Sequence, residues 1–344
     1  MTHNLVTKIY EIIYSFADPV SNIRLNKDES NIEVLSDNGK INIIIPIKPN
    51  LEKNYQNLIL NLKEKIKTLE NVVSVNISLT AERNKTDTES QKNRFKIDAK
   101  NIIAIASGKG GVGKSTFAVN FAISLSKKGN KVGILDADIY GPSIPRMIGI
   151  SDKPKVNNNK LTPLENYGIK CMSIGFLIED DTPAIWRGPM VMKALEQMYN
   201  GVDWGKLDYL VIDLPPGTGD AQLSLAQYSK LTGAIIVSTP QDIALIDARK
   251  GINMFNKVKV PVLGIVENMS YFICDSCNKR HEIFSNGGAK EAAKEFNTNF
   301  LGEIPIDQNL RIQSDIGNPL CISAPDSEVS EIYLSIAKKI ETSL

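Results

Sequence analysis

The chain is poor in the residues that build specialised surfaces. It has four cysteines in 344 residues, and a disulfide scaffold needs a far denser supply. Its 40 basic and 39 acidic residues leave a formal charge of +1, so no basic excess points to a nucleic-acid partner. No apolar run approaches the roughly 18 residues a membrane span needs. The opening Met1-Thr2-His3-Asn4-Leu5 lacks the basic-then-apolar build of a secretory leader, and the expected compartment is the cytoplasm, with reduced thiols. What is present is ordinary for a globular protein: 42% hydrophobic and 23% charged residues. The length suits two domains, or one large domain with an appendage.

Residues 1–82 read as a small α+β domain. Leu5, Ile9, Ile12, Ile13 and Phe16 form a helical stripe that Asp18-Pro19 should end. Ile32 and Val34 suggest a strand, Asp37-Asn38-Gly39 a hairpin turn, and Ile41, Ile43, Ile45 and Ile47 a second strand. Leu51, Tyr55, Leu58, Leu62, Ile66 and Leu69 share a helical face, and Val73, Val75, Ile77 and Leu79 alternate with polar residues as a half-wet strand does. No titratable cluster stands out, so a docking module is the reading for this part. Residues 83–98 are almost free of apolar side chains and read as a flexible linker.

Residues 99–344 alternate apolar runs with helical patterns. Strands are expected at 102–107, 131–136, 208–213, 233–238, 262–267 and 299–304. That order predicts an α/β fold, a mostly parallel sheet with helices on both faces. Ligands in such sheets bind at the carboxyl ends of the strands.

One loop sits at such an end. Gly108-Lys109-Gly110-Gly111-Val112-Gly113-Lys114-Ser115 matches the phosphate-loop pattern G-x-x-x-x-G-K-[ST], between an apolar run and a helical pattern that stops near Gly129. Glycines let backbone N–H groups close on a triphosphate. Lys114 suits the β- and γ-phosphates, and the Ser115 hydroxyl suits Mg²⁺. Two further strands close on acids: Asp136 and Asp138 at spacing i, i+2, and Asp213 after Tyr209-Leu210-Val211-Ile212. An apolar strand ending in Asp is the Walker B arrangement for holding Mg²⁺. The stiff turn Leu214–Asp220 that follows is placed where a γ-phosphate-sensing loop would lie.

Cys274-Asp275-Ser276-Cys277 is a lone C-x-x-C. A redox dithiol would need a thioredoxin-like setting, which is missing. Structural zinc would take His281 as a third ligand and Cys171 or Cys321 as a fourth. A third reading joins two thiolates from each of two chains, in a tetrahedral zinc site or a [4Fe–4S] cluster. Two incidental cysteines is the bland alternative. Cys171 and Cys321, in apolar surroundings, read as core residues.

The loop with its extra lysine resembles the deviant Walker A group that includes MinD, ParA and the nitrogenase iron protein. Residues 135–147, 185–191, 208–223, 238–255 and 264–274, with the cysteine pair, resemble one branch, the Mrp/ApbC-type iron–sulfur cluster carrier ATPases. The N-terminal module is similar to a small domain that often precedes the ATPase there, although it has no cysteine. The resemblance implies a homodimer that binds and slowly hydrolyses ATP with Mg²⁺ and passes clusters to apo iron–sulfur proteins, while the charge balance leaves no nucleic acid or membrane among the expected partners. The resemblance implies that Lys109 reaches the partner's nucleotide, Asp138 positions the attacking water, Asp136 supports Mg²⁺ and Asn268 reads adenine. It also implies that Cys274 and Cys277 meet their symmetry mates around a [4Fe–4S] cluster. Asp275 stands where relatives often have proline. The alternatives are a MinD/ParA-like spatial-organisation ATPase and a zinc-stapled scaffold. The first needs a membrane helix or a basic surface, and segment 326–344, with four acids against Lys338 and Lys339, has the wrong charge for an anionic membrane.

Overall fold

In the computed structural model, residues 2–26, 32–37, 39–47, 51–69, 72–81, 97–178 and 188–344 are described. They fall into two units, within 1–90 and within 91–344. The expected linker at 83–98 lies outside the described residues except for 97 and 98, as does the Ile185-Trp186-Arg187 stretch.

The N-terminal unit runs α1 (Thr2–Ile13), β1 (Glu33–Asp37), β2 (Lys40–Ile47), α2 (Gln56–Lys67) and β3 (Ser74–Ala81). β1 and β2 form the expected antiparallel hairpin, and β3 joins β2 in parallel, Ile41 opposite Val75. Alternation puts Ile41, Ile43, Ile45 and Ile47 on one face, where they pack with Ile9, Ile13, Leu58, Leu62 and Ile66. α1 stops at Ile13, short of Asp18. The chain tightens there through Ser15 N–H to Ile12 O and Phe16 N–H to Ile13 O, and Asp18 instead organises the next turn by accepting from Val20 and Ser21 N–H. The start of the second helical face, Glu52–Tyr55, is a 3₁₀ turn rather than α-helix.

The C-terminal unit contains β4 (Ala99–Ala106), α3 (Lys114–Lys127), β5 (Val132–Asp136), β6 (Leu164–Asn166), β7 (Ile169–Ser173), α4 (Gly188–Asn200) and β8 (Leu207–Asp213). It continues with α5 (Asp220–Tyr228), β9 (Gly233–Ser238), α6 (Asp242–Lys257), β10 (Val262–Asn268), β11 (Phe272–Ile273) and β12 (Arg280–His281). α7 (Gly288–Glu295), β13 (Phe300–Ile304), α8 (Gln308–Asp315) and α9 (Glu328–Ser343) complete it. The main sheet has the order β13-β10-β9-β4-β8-β5-β7-β6. All neighbours are parallel except the edge pair β6–β7. All six expected strands are present in it.

The central strands are buried on both faces, so they are apolar throughout: Ile102–Ala106, Ile134, Leu135, Leu210–Ile212 and Ala234–Val237 all lie in the core. α3 is buried along most of its length, with Phe117 and Phe121 stacked and Phe117 against Tyr333 of α9. The parallel order brings Ser107, Asp136, Asp213, Thr239 and Asn268 to one edge. Everything described below sits on that edge. Among the described residues, no helix is long and apolar enough to cross a membrane.

Candidate functional site

The phosphate loop joins β4 to α3 as its sequence requires. Gly111 and Gly113 adopt φ of 78° and 81°, the left-handed region that favours glycine. Two glycines are also fixed by space. A Cβ on Gly108 would lie 2.2 Å from the backbone of Asp247 in α6, and one on Gly113 would lie 2.1 Å from Asn268 Nδ2. The loop is thus seated on α6 and against the end of β10. It borders a cavity of about 210 Å³ that Asp138, Met147 and Pro216 also line. The N-terminus of α3 opens onto it, the arrangement in which backbone dipoles favour an anion.

Lys114 is buried, and its Nζ donates to Asp213 Oδ1 at 2.6 Å. The other oxygen, Asp213 Oδ2, is buried and has no hydrogen-bond partner. An orphan carboxylate oxygen beside a lysine and the Ser115 hydroxyl, 3.4 Å from Lys114 Nζ, is a fit for a divalent cation. Asp136 is arranged differently. Its Oδ1 accepts from Asp138 N–H at 3.2 Å, and its Oδ2 from Ile144 N–H at 3.3 Å and Ser173 Oγ at 2.9 Å. Burial, reinforced by the Asp213 carboxylate, holds its pKa above the usual range. Asp138 is only half-buried and faces the cavity, and burial raises its pKa too, against the pull of Lys114.

Lys109 donates to Gln241 Oε1 at 3.2 Å, within its own chain. The Pro-Gly turn after Asp213 is tied to the site by Gly217 N–H to Ser107 O at 2.9 Å. Asn268 lies behind the phosphate loop, its Nδ2 donating to Val112 O at 2.8 Å, while its buried Oδ1 has no partner.

The cysteine pair occupies the tip of the β11–β12 hairpin. Cys274 N–H donates to Lys279 O, Asn278 N–H donates to Cys274 O, and Asn278 takes a φ of 52° to close the turn. The Cys274 sulfur accepts from the N–H groups of Ser276 and Cys277, and these bonds, with a further one from the Cys277 side chain, lower its thiol pKa. A sulfur so served is stabilised as thiolate, the form that binds metal. Cys277 is exposed. Cys171 and Cys321 are both in the core, so neither serves as a fourth zinc ligand at the hairpin. Among the described residues, no group of three or more His, Cys, Asp or Glu side chains could hold a metal ion. The tip therefore has two cysteines and, among the described residues, no third ligand.

Sequence reasoning missed Gln241, Ser173 and Glu267. Each acts through a long-range contact with no local pattern to mark it.

A family model described as ParA, NUBPL iron-transfer P-loop NTPase, matches residues 98–341. The chain is 57% identical over 244 residues to the iron–sulfur cluster transfer protein NUBPL of Dictyostelium discoideum, covering 70% of this chain and 76% of that protein. It is 53% identical over 247 residues to the iron–sulfur cluster carrier protein of Escherichia coli K12, covering 71% and 67%. A solved structure, the nucleotide-binding protein of Archaeoglobus fulgidus in complex with ADP, is 40% identical with a TM-score of 0.60, covering 73% of this chain and 98% of that one.

Proposed function

The chain belongs to the ParA-type NUBPL iron-transfer P-loop NTPases, and we propose that it carries iron–sulfur clusters to apo-proteins as an ATP-binding, slowly hydrolysing homodimer. The observation that carries the reading is the hairpin tip: two accessible cysteines, one of them favoured as thiolate by two backbone N–H groups, with no third ligand among the described residues. Two thiolates make half of a four-cysteine site, and a two-fold axis supplies the other half. The cluster is cargo, so an exposed and incomplete site suits its release.

ATP would enter the phosphate-loop cavity, with Lys114 exchanging the Asp213 carboxylate for phosphate oxygens. Ser115 and Asp213 would hold Mg²⁺, whose chemistry is to neutralise charge on the β- and γ-phosphates. Asp136, its oxygens already engaged by protein donors, would orient this shell rather than bind directly. Asp138 faces the cavity and would position the attacking water, its raised pKa making it a better proton acceptor. Lys109 would leave Gln241 to reach the partner's nucleotide. Asn268, buried behind the loop, would need to turn toward the base to read adenine.

The relatives named for cluster transfer and carriage support the cargo, and the ADP-bound neighbour supports the nucleotide. The membrane-targeting alternative is disfavoured because the apolar face of α9, including Val329, Tyr333, Ile336 and Ile340, is buried in the core. The test is anaerobic reconstitution with iron and sulfide, read by visible absorbance and metal analysis. Iron in the native chain and background iron in Cys274→Ala/Cys277→Ala are expected. Zinc in place of iron, or iron retained by the double variant, overturns the reading.

A further inference from the structure

Glu267 is a fully buried carboxylate that the nucleotide chemistry does not use. It accepts from Ser270 Oγ at 2.6 Å and from Ala289 N–H, in the first turn of α7, at 2.8 Å. Ser270 is where the chain departs for the cysteine hairpin, and Ala289 is where it returns. One carboxylate therefore fastens both ends of the segment that carries Cys274 and Cys277. The bond to Ala289 satisfies a backbone N–H of the first helical turn, which has no partner within the helix.

The next residue, Asn268, is the one that braces the phosphate loop through Val112 and Gly113. The link continues on the far side. Met269, immediately after, has a φ of 55°, a conformation a non-glycine residue keeps only where its surroundings over-determine it. Ser270 N–H then donates to Ile304 O at 2.9 Å, and Ile306 N–H donates to Tyr271 O at 2.7 Å. Arg280 of the hairpin stacks on Tyr271 at 3.9 Å and pairs with Glu303 at 2.8 Å. The hairpin is thus anchored to the ends of β10 and β13, not hung from a loose loop.

We propose that Glu267 and Asn268 are a positioning pair that ties the cysteine hairpin to the phosphate loop, so that a nucleotide bound at one changes the set of the other. Glu267 holds the hairpin's two ends, Asn268 holds the loop, and a single peptide bond joins them. The purpose of the link rests on the cluster-carrying reading, but its existence does not.

The test is hydrogen–deuterium exchange on the full chain, cysteines reduced and no cluster present, with and without a non-hydrolysable ATP analogue and Mg²⁺. In the native chain the nucleotide slows exchange at 107–117 and also changes it at 270–288. Glu267→Gln keeps one acceptor oxygen but faces the second donor with an amide that cannot accept. It speeds basal exchange at 270–288 by roughly tenfold, and the hairpin no longer responds to nucleotide while 107–117 still does. Ser270→Ala, which removes only the entry bond, moves both in the same direction by less and serves if Glu267→Gln does not fold. An unresponsive hairpin in the native chain overturns the proposal, and so does a fully responsive hairpin in the folded variants. Failure of the cluster reading is seen separately, as absent iron on reconstitution with the exchange coupling intact.

Discussion

The phosphate-loop site and the cysteine hairpin share one edge of one sheet and are built in opposite ways. The first is buried and over-determined. Lys114 and Asp213 lie in the interior, Asp136 has three protein donors, and two loop glycines have no room for a side chain. The second stands in solvent, with an exposed Cys277, a short two-residue strand pair and only two cysteines at its tip. The difference follows from what each must do. Phosphoryl chemistry needs fixed charges in a site that excludes water, whereas cargo that is handed on needs ligands a second protein can reach.

The largest effect is expected at the buried end. Lys114→Ala leaves Asp213 as an interior carboxylate with neither oxygen paired. Unfolding free energy should fall by about 3 kcal/mol, read by urea titration, and nucleotide binding should be lost with it. A stability change under about 0.5 kcal/mol would mean that the pair is not the strut described here. Lys109→Ala comes next. Among the described residues its Nζ meets only Gln241, so stability and nucleotide affinity should hardly move. Hydrolysis should drop by about a hundredfold or more, the scale seen when one transition-state donor is lost. Equal losses of affinity in the Lys109 and Lys114 variants would remove the case for a role across the dimer. The smallest effect is expected at the exposed end. Arg280→Ala deletes a stacking contact and a half-exposed ion pair, and should cost about 1 kcal/mol of local stability. Hydrogen exchange confined to 270–288 reads it, and a global loss of stability would show that the hairpin is a structural element of the core.

The buried site was largely legible in the sequence because its parts are local. A glycine pattern between a strand and a helix, and acids closing apolar strands, can each be read within about ten residues. The parallel sheet was legible for the same reason, since strands buried on both faces are continuous apolar runs. The bracing was not. Ser173 on Asp136, Gln241 on Lys109 and Glu267 across the hairpin's ends are pairings that only strand order creates. The end of α1 was misjudged because Asp18-Pro19 is a strong stop signal, and the helix gives way before reaching it through tighter i+3 bonds. For the cysteines, the spacing alone left zinc, cluster and chance open. The burial of Cys171 and Cys321 removes only the version in which one of them completes a zinc site at the hairpin.

On the proposed function, the hairpin is half a site. Native mass spectrometry of the anaerobically reconstituted full chain tests it most directly. The expected result is a species of two chains holding four irons and four sulfides, absent from Cys274→Ala/Cys277→Ala. A single chain that retains a complete metal centre by itself would contradict it.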